Sequence, residues 1–266
     1  MFRRVPCVAV SDTEMQLQLR EALERGYFYL RYHPQICLRD GRITALEVLL
    51  GRRRSQLMPD RFIPIAERSG PIIPIGDLAL NEACRQGAAW RAAGLADLIV
   101  AVNVSALQVR RGNLVRVVTA ALERSGLPAA SLELELTQTI LLQDTELTSS
   151  TLQALHTTGG RFAIDDFGTG YSSLSYLKQH AVSKLKIDRS FTATLSENAG
   201  DAAIMKAIIQ LGPTMQLEVV AEGLETADQL GFLKDSGCDQ ARVRSSACPP
   251  APPTFPSSSP PSDSGL

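Results

Sequence analysis

Short apolar stretches recur along the chain, and most are followed by a longer stretch in which hydrophobic residues lie three or four positions apart. The short stretches are rich in β-branched and aromatic residues, which is typical of strands, whereas the wider spacing is typical of amphipathic helices. After an amphipathic segment at 14–25, the predicted strands are 27–32, 43–50, 98–104, 132–136, 161–164, 184–187 and 217–221. The main predicted helices between them are 75–93, 113–125, 146–157, 201–211 and 227–236.

The order of these elements predicts a closed barrel. The first two strands are joined by a short Arg-Asp-Gly-Arg turn at 39–42, which favours an antiparallel hairpin. After it, strands and helices alternate, which indicates a parallel sheet covered by helices. Seven such strands in a chain of 266 residues, 44% of them hydrophobic, favour an α/β fold of the (β/α)8 TIM-barrel type over an open doubly wound sheet.

Composition and charge argue against several classes of binding partner. A net charge of −1 and a pI near 6.3 argue against binding to DNA, because duplex binding needs a basic surface. The five cysteines form no Cys-x-x-Cys pair, which favours a reduced, cytoplasmic protein. No apolar run reaches the roughly 18 residues of a transmembrane helix, and the sequence has neither a Gly-x-Gly-x-x-Gly motif nor a P-loop. We therefore expect no membrane insertion and no Rossmann or Walker nucleotide site.

Two adjacent carboxylates, Asp165 and Asp166, directly follow the predicted strand 161–164 and precede a Phe-Gly-Thr-Gly segment. Neighbouring side chains of a strand point to opposite faces, but both can reach one cation where the backbone bends at the end of the strand. Adjacent carboxylates suit Mg²⁺ or Mn²⁺ better than a softer metal. The alternative interpretation is an acidic turn before a helix whose N-cap is Ser172 or Ser173.

Polar residues also lie at the ends of other predicted strands, where barrel enzymes keep their catalytic groups. They are Glu47, Asn103, Glu135, Lys186 with Asp188, and Glu222 with Glu225. A charged side chain inside a barrel is costly unless it is paired or binds a metal, and one such residue alone would be explained as a satisfied polar group of the core. Oxygen ligands from several strands instead favour a pocket for two divalent cations that orient a water molecule toward a phosphodiester. In such a pocket Lys186 would stabilise charge on the phosphoryl oxygens or hold the attacking water.

Several motifs, in order over residues 14–239, resemble the EAL family of cyclic-di-GMP phosphodiesterases. The Glu-Ala-Leu motif that names the family is present as Glu47-Val48-Leu49. Further matches are Asn103-Val104-Ser105 and the segments 62–67, 165–174, 186–191 and 220–226. The resemblance implies a (β/α)8 barrel with an antiparallel first strand, and metal-dependent opening of cyclic di-GMP to the linear dinucleotide pGpG.

The resemblance also implies roles for individual residues. The ligands of a pair of Mg²⁺ or Mn²⁺ ions would be Glu47, Asn103, Glu135, Asp165, Asp166 and Glu222. The catalytic residues would be Lys186, Glu47 and Glu225, and the contacts to cyclic di-GMP would come from His33, Asp166 and Asp188. The residues that organise the loop after Asp166 would be Gln138, Gly168, Gly170 and Ser172. Because the family also uses this loop at its dimer interface, a homodimer is expected.

Three single positions and one segment depart from the family pattern. His33 replaces a glutamine that helps to hold substrate, Gly51 replaces a phosphate-binding arginine, and Gln138 replaces a glutamate. The Gln-Gly-Tyr sequence of the eighth strand is also absent, because Arg-Val-Arg stands at 242–244. These changes predict an eighth strand that is missing or degraded and a phosphodiesterase of impaired activity. The alternative is a catalytically inactive domain that binds cyclic di-GMP or a regulatory protein partner.

The composition changes at the C-terminal end, where seven of the fifteen prolines lie within 249–261 with serines between them. We expect residues 245–266 to be disordered, after an N-terminal lead at 1–13 and a barrel domain at 14–244. Two interpretations of this end stay open. It is either a proline-rich docking tail or the product of a shifted reading frame, since codons for Gln-Gly read one base late encode the Arg-Val found at 242–243.

Overall fold

The computed structural model of the chain contains a closed barrel whose eight strands are arranged in chain order. It describes residues 11–53, 59–111, 113–142, 146–169, 177, 182–195 and 198–243. The strands are β1 Phe28–Cys37, β2 Ile43–Arg52, β3 Ile99–Val104, β4 Leu132–Thr137, β5 Arg161–Phe167, β6 Lys184–Ile187, β7 Glu218–Leu224 and β8 Gln240–Val243. β1 runs antiparallel to both β2 and β8, and the other neighbouring strands are parallel. The predicted (β/α)8 barrel with an antiparallel first strand is confirmed.

Helices pack around the barrel, and the spacing of their buried positions explains where they form. In Leu114–Ser125, residues 114, 117, 118 and 121 are buried, and Gly126 ends the helix with a left-handed φ of 71°. Within the described residues the helices are Asp12–Glu24, Pro59–Ser69, Ile72–Ala92, Ala106–Arg110, Leu114–Ser125, Gln138–Leu142, Glu146–Thr157, Arg189–Ala193, Ala199–Met215 and Ala227–Asp235, with a 3₁₀ turn at Ala129–Ser131. None of these helices combines the length and the apolar character needed to cross a membrane.

The eighth strand is short but present, so the expectation that it is missing or degraded is wrong. β8 pairs with β1 on one side and with β7 on the other. Gln240 turns into the barrel, where its Nε2 donates to Glu218 Oε2 at 3.1 Å and its Oε1 accepts from the Thr44 hydroxyl at 3.0 Å. Ala241, on the opposite face, is fully buried. A strand of four residues is sufficient here because its backbone pairs on both sides and the inward amide of Gln240 is hydrogen-bonded. These interactions fix the strand although the Gln-Gly-Tyr sequence of the family is absent.

The described part of the chain starts with the helix Asp12–Glu24. The Ser11 hydroxyl caps this helix by accepting from the Glu14 N–H at 3.2 Å. Its buried face, which includes Leu19, packs with Phe62 in a small apolar cluster separate from the main core. Residues 1–10 of the predicted lead and the whole predicted tail at 245–266 lie outside the described residues, so the predicted domain limits stay predictions.

β1 is longer than predicted, since it continues to Cys37 instead of ending at residue 32. Pro34 is accommodated within the strand because, among the described residues, β1 is paired with β2 alone at that point and its pairing with β8 covers Gln35–Cys37. The extension carries Gln35 into the barrel, where it is fully buried beneath the candidate site.

Candidate active site

A buried polar layer lies inside the barrel below its mouth. Lys184 on β6 is fully buried, and its Nζ donates to Glu133 Oε1 on β4 at 2.9 Å and to Gln35 Oε1 at 3.2 Å. These three residues are not among those predicted from the sequence. The signal was available, because strand alternation places Glu133 and Lys184 on the same face as Glu135 and Lys186, two residues further along each strand.

Lys186 lies above this layer and is surrounded by carboxylates from four other strands. Its Nζ is 2.7 Å from Glu135, 2.9 Å from Glu222, 3.2 Å from Asp165 and 3.5 Å from Glu47. Burial lowers the pKa of Lys186, but the four carboxylates together raise it well above its usual value. The ammonium is therefore a fixed positive charge at the centre of the mouth. We call Lys186 and these four carboxylates the cage.

The cage has the donor set of a divalent-cation site. Glu47, Glu135 and Asp165 each place one carboxylate oxygen within 4.8 Å of the others. In the described part of the chain, Glu47 Oε2 and Glu222 Oε1 are buried and accept no hydrogen bond. Each has a cation at 2.9 Å, but these are ion pairs without hydrogen-bond alignment, and lone pairs therefore remain for a metal ion. Clustered carboxylates with spare lone pairs fit Mg²⁺ or Mn²⁺.

Three further predicted residues lie at the rim of the cage. Asn103 on β3 is the register neighbour of Glu135 on β4, and it is exposed. Asp166 has a left-handed φ of 56°, which bends the backbone near the end of β5, where the register with β6 shifts, and its N–H donates to Asp165 Oδ1 at 3.0 Å. This bend is the feature that the adjacent aspartates were predicted to need. Asp188, half-buried, caps the helix Arg189–Ala193 through Oδ1, which accepts from the backbone N–H two residues later at 2.9 Å.

The two remaining predicted residues, His33 and Glu225, lie in the middle of β1 and just beyond the end of β7. His33 on β1 is paired in register with Glu47 and is half-buried. Glu225 is exposed one residue beyond the end of β7, and its backbone N–H donates to Gln229 Oε1 at 2.8 Å. Among the described residues, the carboxylates in ion pairs with Lys186 are the four of the cage, and Glu225 is not one of these four.

The predicted loop-organising residues are only partly within the described chain. Gln138 starts the helix that follows β4 and is half-buried. Gly168 has a φ of +101°, and a Cβ added there would lie 2.9 Å from the Phe191 ring. Both its backbone conformation and this close approach require glycine. The described residues do not include Gly170 or Ser172. The alternative interpretation, in which a serine at 172 or 173 is the N-cap of a helix, therefore also lies outside them.

An aromatic ring fills the space beside Gly51. Gly51 on β2 is paired with Tyr29 on β1, and a Cβ added at Gly51 would lie 2.4 Å from the Tyr29 ring. Arg31 holds that ring, since its Nη2 donates to the Tyr29 hydroxyl at 2.8 Å. Restoring an arginine at position 51 therefore requires the ring to move, so the substitution is not a simple gain of a phosphate contact.

The stability of the protein in chelator is expected to fall between about pH 5 and about pH 8. Burial, together with Asp165 and Glu47, raises the pKa of Glu222 from 4.5 to about 7, against the attraction of Lys186 and Arg242. A carboxyl group whose pKa is raised by folding stabilises the folded state below its unfolded pKa, and this contribution is lost as the pH rises through the folded pKa. We expect the free energy of unfolding to fall by roughly 1–3 kcal/mol.

Urea unfolding in chelator across this pH range measures the effect. Glu222→Gln, which cannot ionise, should show a smaller fall than the unsubstituted protein. An identical fall in both proteins would assign the effect to other groups. One such group is Asp166, whose pKa is raised to about 6 by partial burial and by Asp165 and Asp188, although solvent at the rim screens part of this shift.

The EAL domain family model matches residues 16–242 of the chain. Over 236 residues the chain is 43% identical to the bifunctional diguanylate cyclase/cyclic di-GMP phosphodiesterase MucR of Pseudomonas aeruginosa, covering 86% of this chain and 34% of that protein. Over 234 residues it is 41% identical to the cyclic di-GMP phosphodiesterase NbdA of the same organism, covering 87% and 30%. The chain thus spans about a third of the length of these relatives.

Solved structures show the same barrel. The structure of the PaMucR phosphodiesterase in complex with c-di-GMP matches with a TM-score of 0.83 at 42% identity, covering 86% of this chain and 94% of that chain. The EAL enzyme Bd1971, in its form bound to cAMP and cyclic di-GMP, matches with a TM-score of 0.81 at 30% identity, covering 87% and 64%.

Proposed function

This chain belongs to the EAL domain family, and we propose that it is a metal-dependent phosphodiesterase that hydrolyses cyclic di-GMP to linear pGpG. The observation that carries the proposal is the buried ammonium of Lys186 among four carboxylates at the mouth of the barrel. The names of the two relatives in Pseudomonas aeruginosa support cyclic di-GMP as the substrate.

The cage and its rim would hold the cations. The residues that we assign as ligands of Mg²⁺ or Mn²⁺ are Glu47, Asn103, Glu135, Asp165, Asp166 and Glu222. When bound, such cations lower the pKa of a water molecule and neutralise charge on a phosphodiester. His33 and Asp188 stay predicted contacts to the nucleotide.

Lys186 acts in this proposal as a fixed cation and not as a base, because the cage raises its pKa and keeps it protonated. Its ammonium would hold the attacking water or a phosphoryl oxygen in place. In the reaction a bond forms between the water oxygen and phosphorus, and the bond from phosphorus to the ribose 3′ oxygen breaks. The proton of the water passes to a carboxylate, and the leaving oxygen takes up a proton. The predicted catalytic role of Glu225 stays a prediction.

We expect the activity to be impaired at two points. The family resemblance assigns a phosphate contact to an arginine at position 51, but this chain has Gly51 there, and the Tyr29 ring fills the space beside it. Arg242 adds a positive charge to the cage, in ion pairs with Glu47 and Glu222. The first change weakens substrate binding and the second weakens cation binding.

Chromatographic separation of pGpG from cyclic di-GMP, after incubation with the purified chain, tests the proposal. Turnover is expected with Mg²⁺ or Mn²⁺ and should disappear in excess chelator. It should fall with Ca²⁺, because the larger and looser coordination of Ca²⁺ misplaces the water. Equal turnover in excess chelator would refute the metal-dependent reaction. Saturable binding of cyclic di-GMP with no product under any of these conditions would support the alternative of an inactive receptor.

Three further properties of the chain remain predictions. They concern a homodimer formed through the loop after Asp166, a regulatory protein partner, and a cytoplasmic location. The activity and partners of any longer protein are proposals in the same sense, since the chain spans about a third of its relatives.

A further inference from the structure

Arg242 is held in the barrel mouth by the register of β8. It is paired with Gln35 on β1, and the inward hydrogen bonds of Gln240 fix the strand two residues earlier. Because side chains alternate along a strand, Arg242 points to the same interior as Gln240, while Ala241 packs outside. The Arg242 side chain is 18% exposed, so it is mostly buried at the mouth of the barrel.

The guanidinium of Arg242 joins two carboxylates of the cage. Its Nη1 lies 2.9 Å from Glu47 Oε2 on β2, and its Nη2 lies 2.5 Å from Glu222 Oε2 on β7. A guanidinium is a planar, permanently charged fork, so one side chain can engage both carboxylates at once. These two residues are assigned above as ligands of divalent cations, and Arg242 competes with a cation for them.

Arg242 reduces the net negative charge of the cage. The four carboxylates of the cage carry a formal charge of −4, and Lys186 reduces it to −3. Arg242 reduces it further to −2, the charge that a single divalent cation neutralises. Asp165, with Asp166 and Asn103 at the rim, is not in an ion pair with Arg242, so a cation can still be held on that side.

We propose that Arg242 takes the place of one of the two divalent cations, by engaging Glu47 and Glu222, so that this chain binds one divalent cation tightly instead of two. The inference rests on the proposed function for the identity of the site. It goes beyond that function because it assigns to a side chain of this chain the charge that a second cation would supply.

Titration of the chelator-treated protein with Mn²⁺, in the absence of nucleotide, tests the inference. Free Mn²⁺ is followed by electron paramagnetic resonance, and the stoichiometry is checked by calorimetry. We expect one tight Mn²⁺ per chain in the unsubstituted protein. Arg242→Gln should bind two, with second-site affinity at least tenfold tighter. Arg242→Lys, which keeps the charge but cannot reach both carboxylates as a fork, should lie between them.

Arg85→Gln is the matched control, because it removes the same charge from an exposed ion pair with Glu82. It should bind Mn²⁺ like the unsubstituted protein. Thermal unfolding shows whether each variant is folded, and if Arg242→Gln is not, the lysine variant carries the comparison. Two equally tight sites in the unsubstituted protein, or no gain at the second site in either Arg242 variant, would overturn the inference. So would the absence of Mn²⁺ binding in every variant.

The hydrolysis assay separates this inference from the proposed function. A second Mn²⁺ in Arg242→Gln with no formation of pGpG would refute the phosphodiesterase activity and leave the role of Arg242 in place. Conversely, pGpG formation by a protein that already binds two Mn²⁺ would refute only the role of Arg242.

Discussion

Replacing Asp165 with asparagine is expected to reduce hydrolysis of cyclic di-GMP at least about 100-fold, because even residues that only support a metal ligand commonly cost 10- to 100-fold. Asp165 places a carboxylate oxygen within 4.8 Å of oxygens of Glu47 and Glu135 and lies 3.2 Å from Lys186 Nζ. Asparagine keeps an oxygen that can accept the Asp166 N–H, so the bend near the end of β5 should persist. The substitution therefore removes the charge with little change in the backbone.

The measurement is the rate of pGpG formation with saturating Mn²⁺, together with the thermal unfolding of each variant. Asp235→Asn is the matched control, since Asp235 is an exposed carboxylate at the end of the helix Ala227–Asp235. The control should retain full activity. Equal rates for Asp165→Asn and the unsubstituted protein would show that the reaction takes place elsewhere.

The cage could be predicted from the sequence because its residues obey two simple rules. The carboxyl ends of parallel strands meet at one end of a barrel, and residues such as Glu135 and Lys186 interrupt apolar strands at those ends. The structure brings them within ion-pair distance, at 2.7 Å. The left-handed bend at Asp166 was also foreseen in outline, since only a bend lets two adjacent side chains face one pocket.

The deeper layer and the last strand could not be predicted in the same way. Strand alternation places Lys184 and Glu133 on the inward faces of β6 and β4, but their pairing depends on two strands that are not neighbours in the barrel, and the sequence does not show it. β8 was predicted to be missing because it was compared with a family motif. Its formation depends instead on pairing with β1 and β7, which are distant in sequence. For the same reason the contact of Arg242 with Glu222 is visible only in the folded barrel.

Replacing Lys186 with methionine is expected to lower the free energy of unfolding in chelator, near neutral pH, by about 3–5 kcal/mol. Methionine has a similar length but no charge, so it fills the space and leaves the carboxylates without their central cation. Removing one partner of a buried ion pair costs more than the pair itself contributes, because the remaining charges stay buried. A divalent cation should restore part of the loss, since it supplies positive charge to the same oxygens.

Lys184→Met is the matched control, because Lys184 is equally buried and is paired with Glu133 at 2.9 Å in the layer below. Both variants should be destabilised in urea, but the gain in stability when Mn²⁺ replaces the chelator should be larger for Lys186→Met, whose cage has lost one positive charge, than for Lys184→Met, whose cage is intact. The loss in Lys186→Met should also shrink toward about pH 5, where protonation neutralises carboxyl groups such as Glu222, whose pKa is about 7. Equal gains of both variants with Mn²⁺ would mean that removing the Lys186 ammonium does not strengthen cation binding in the cage. No destabilisation of Lys186→Met would mean that its ammonium is not what holds the four carboxylates together.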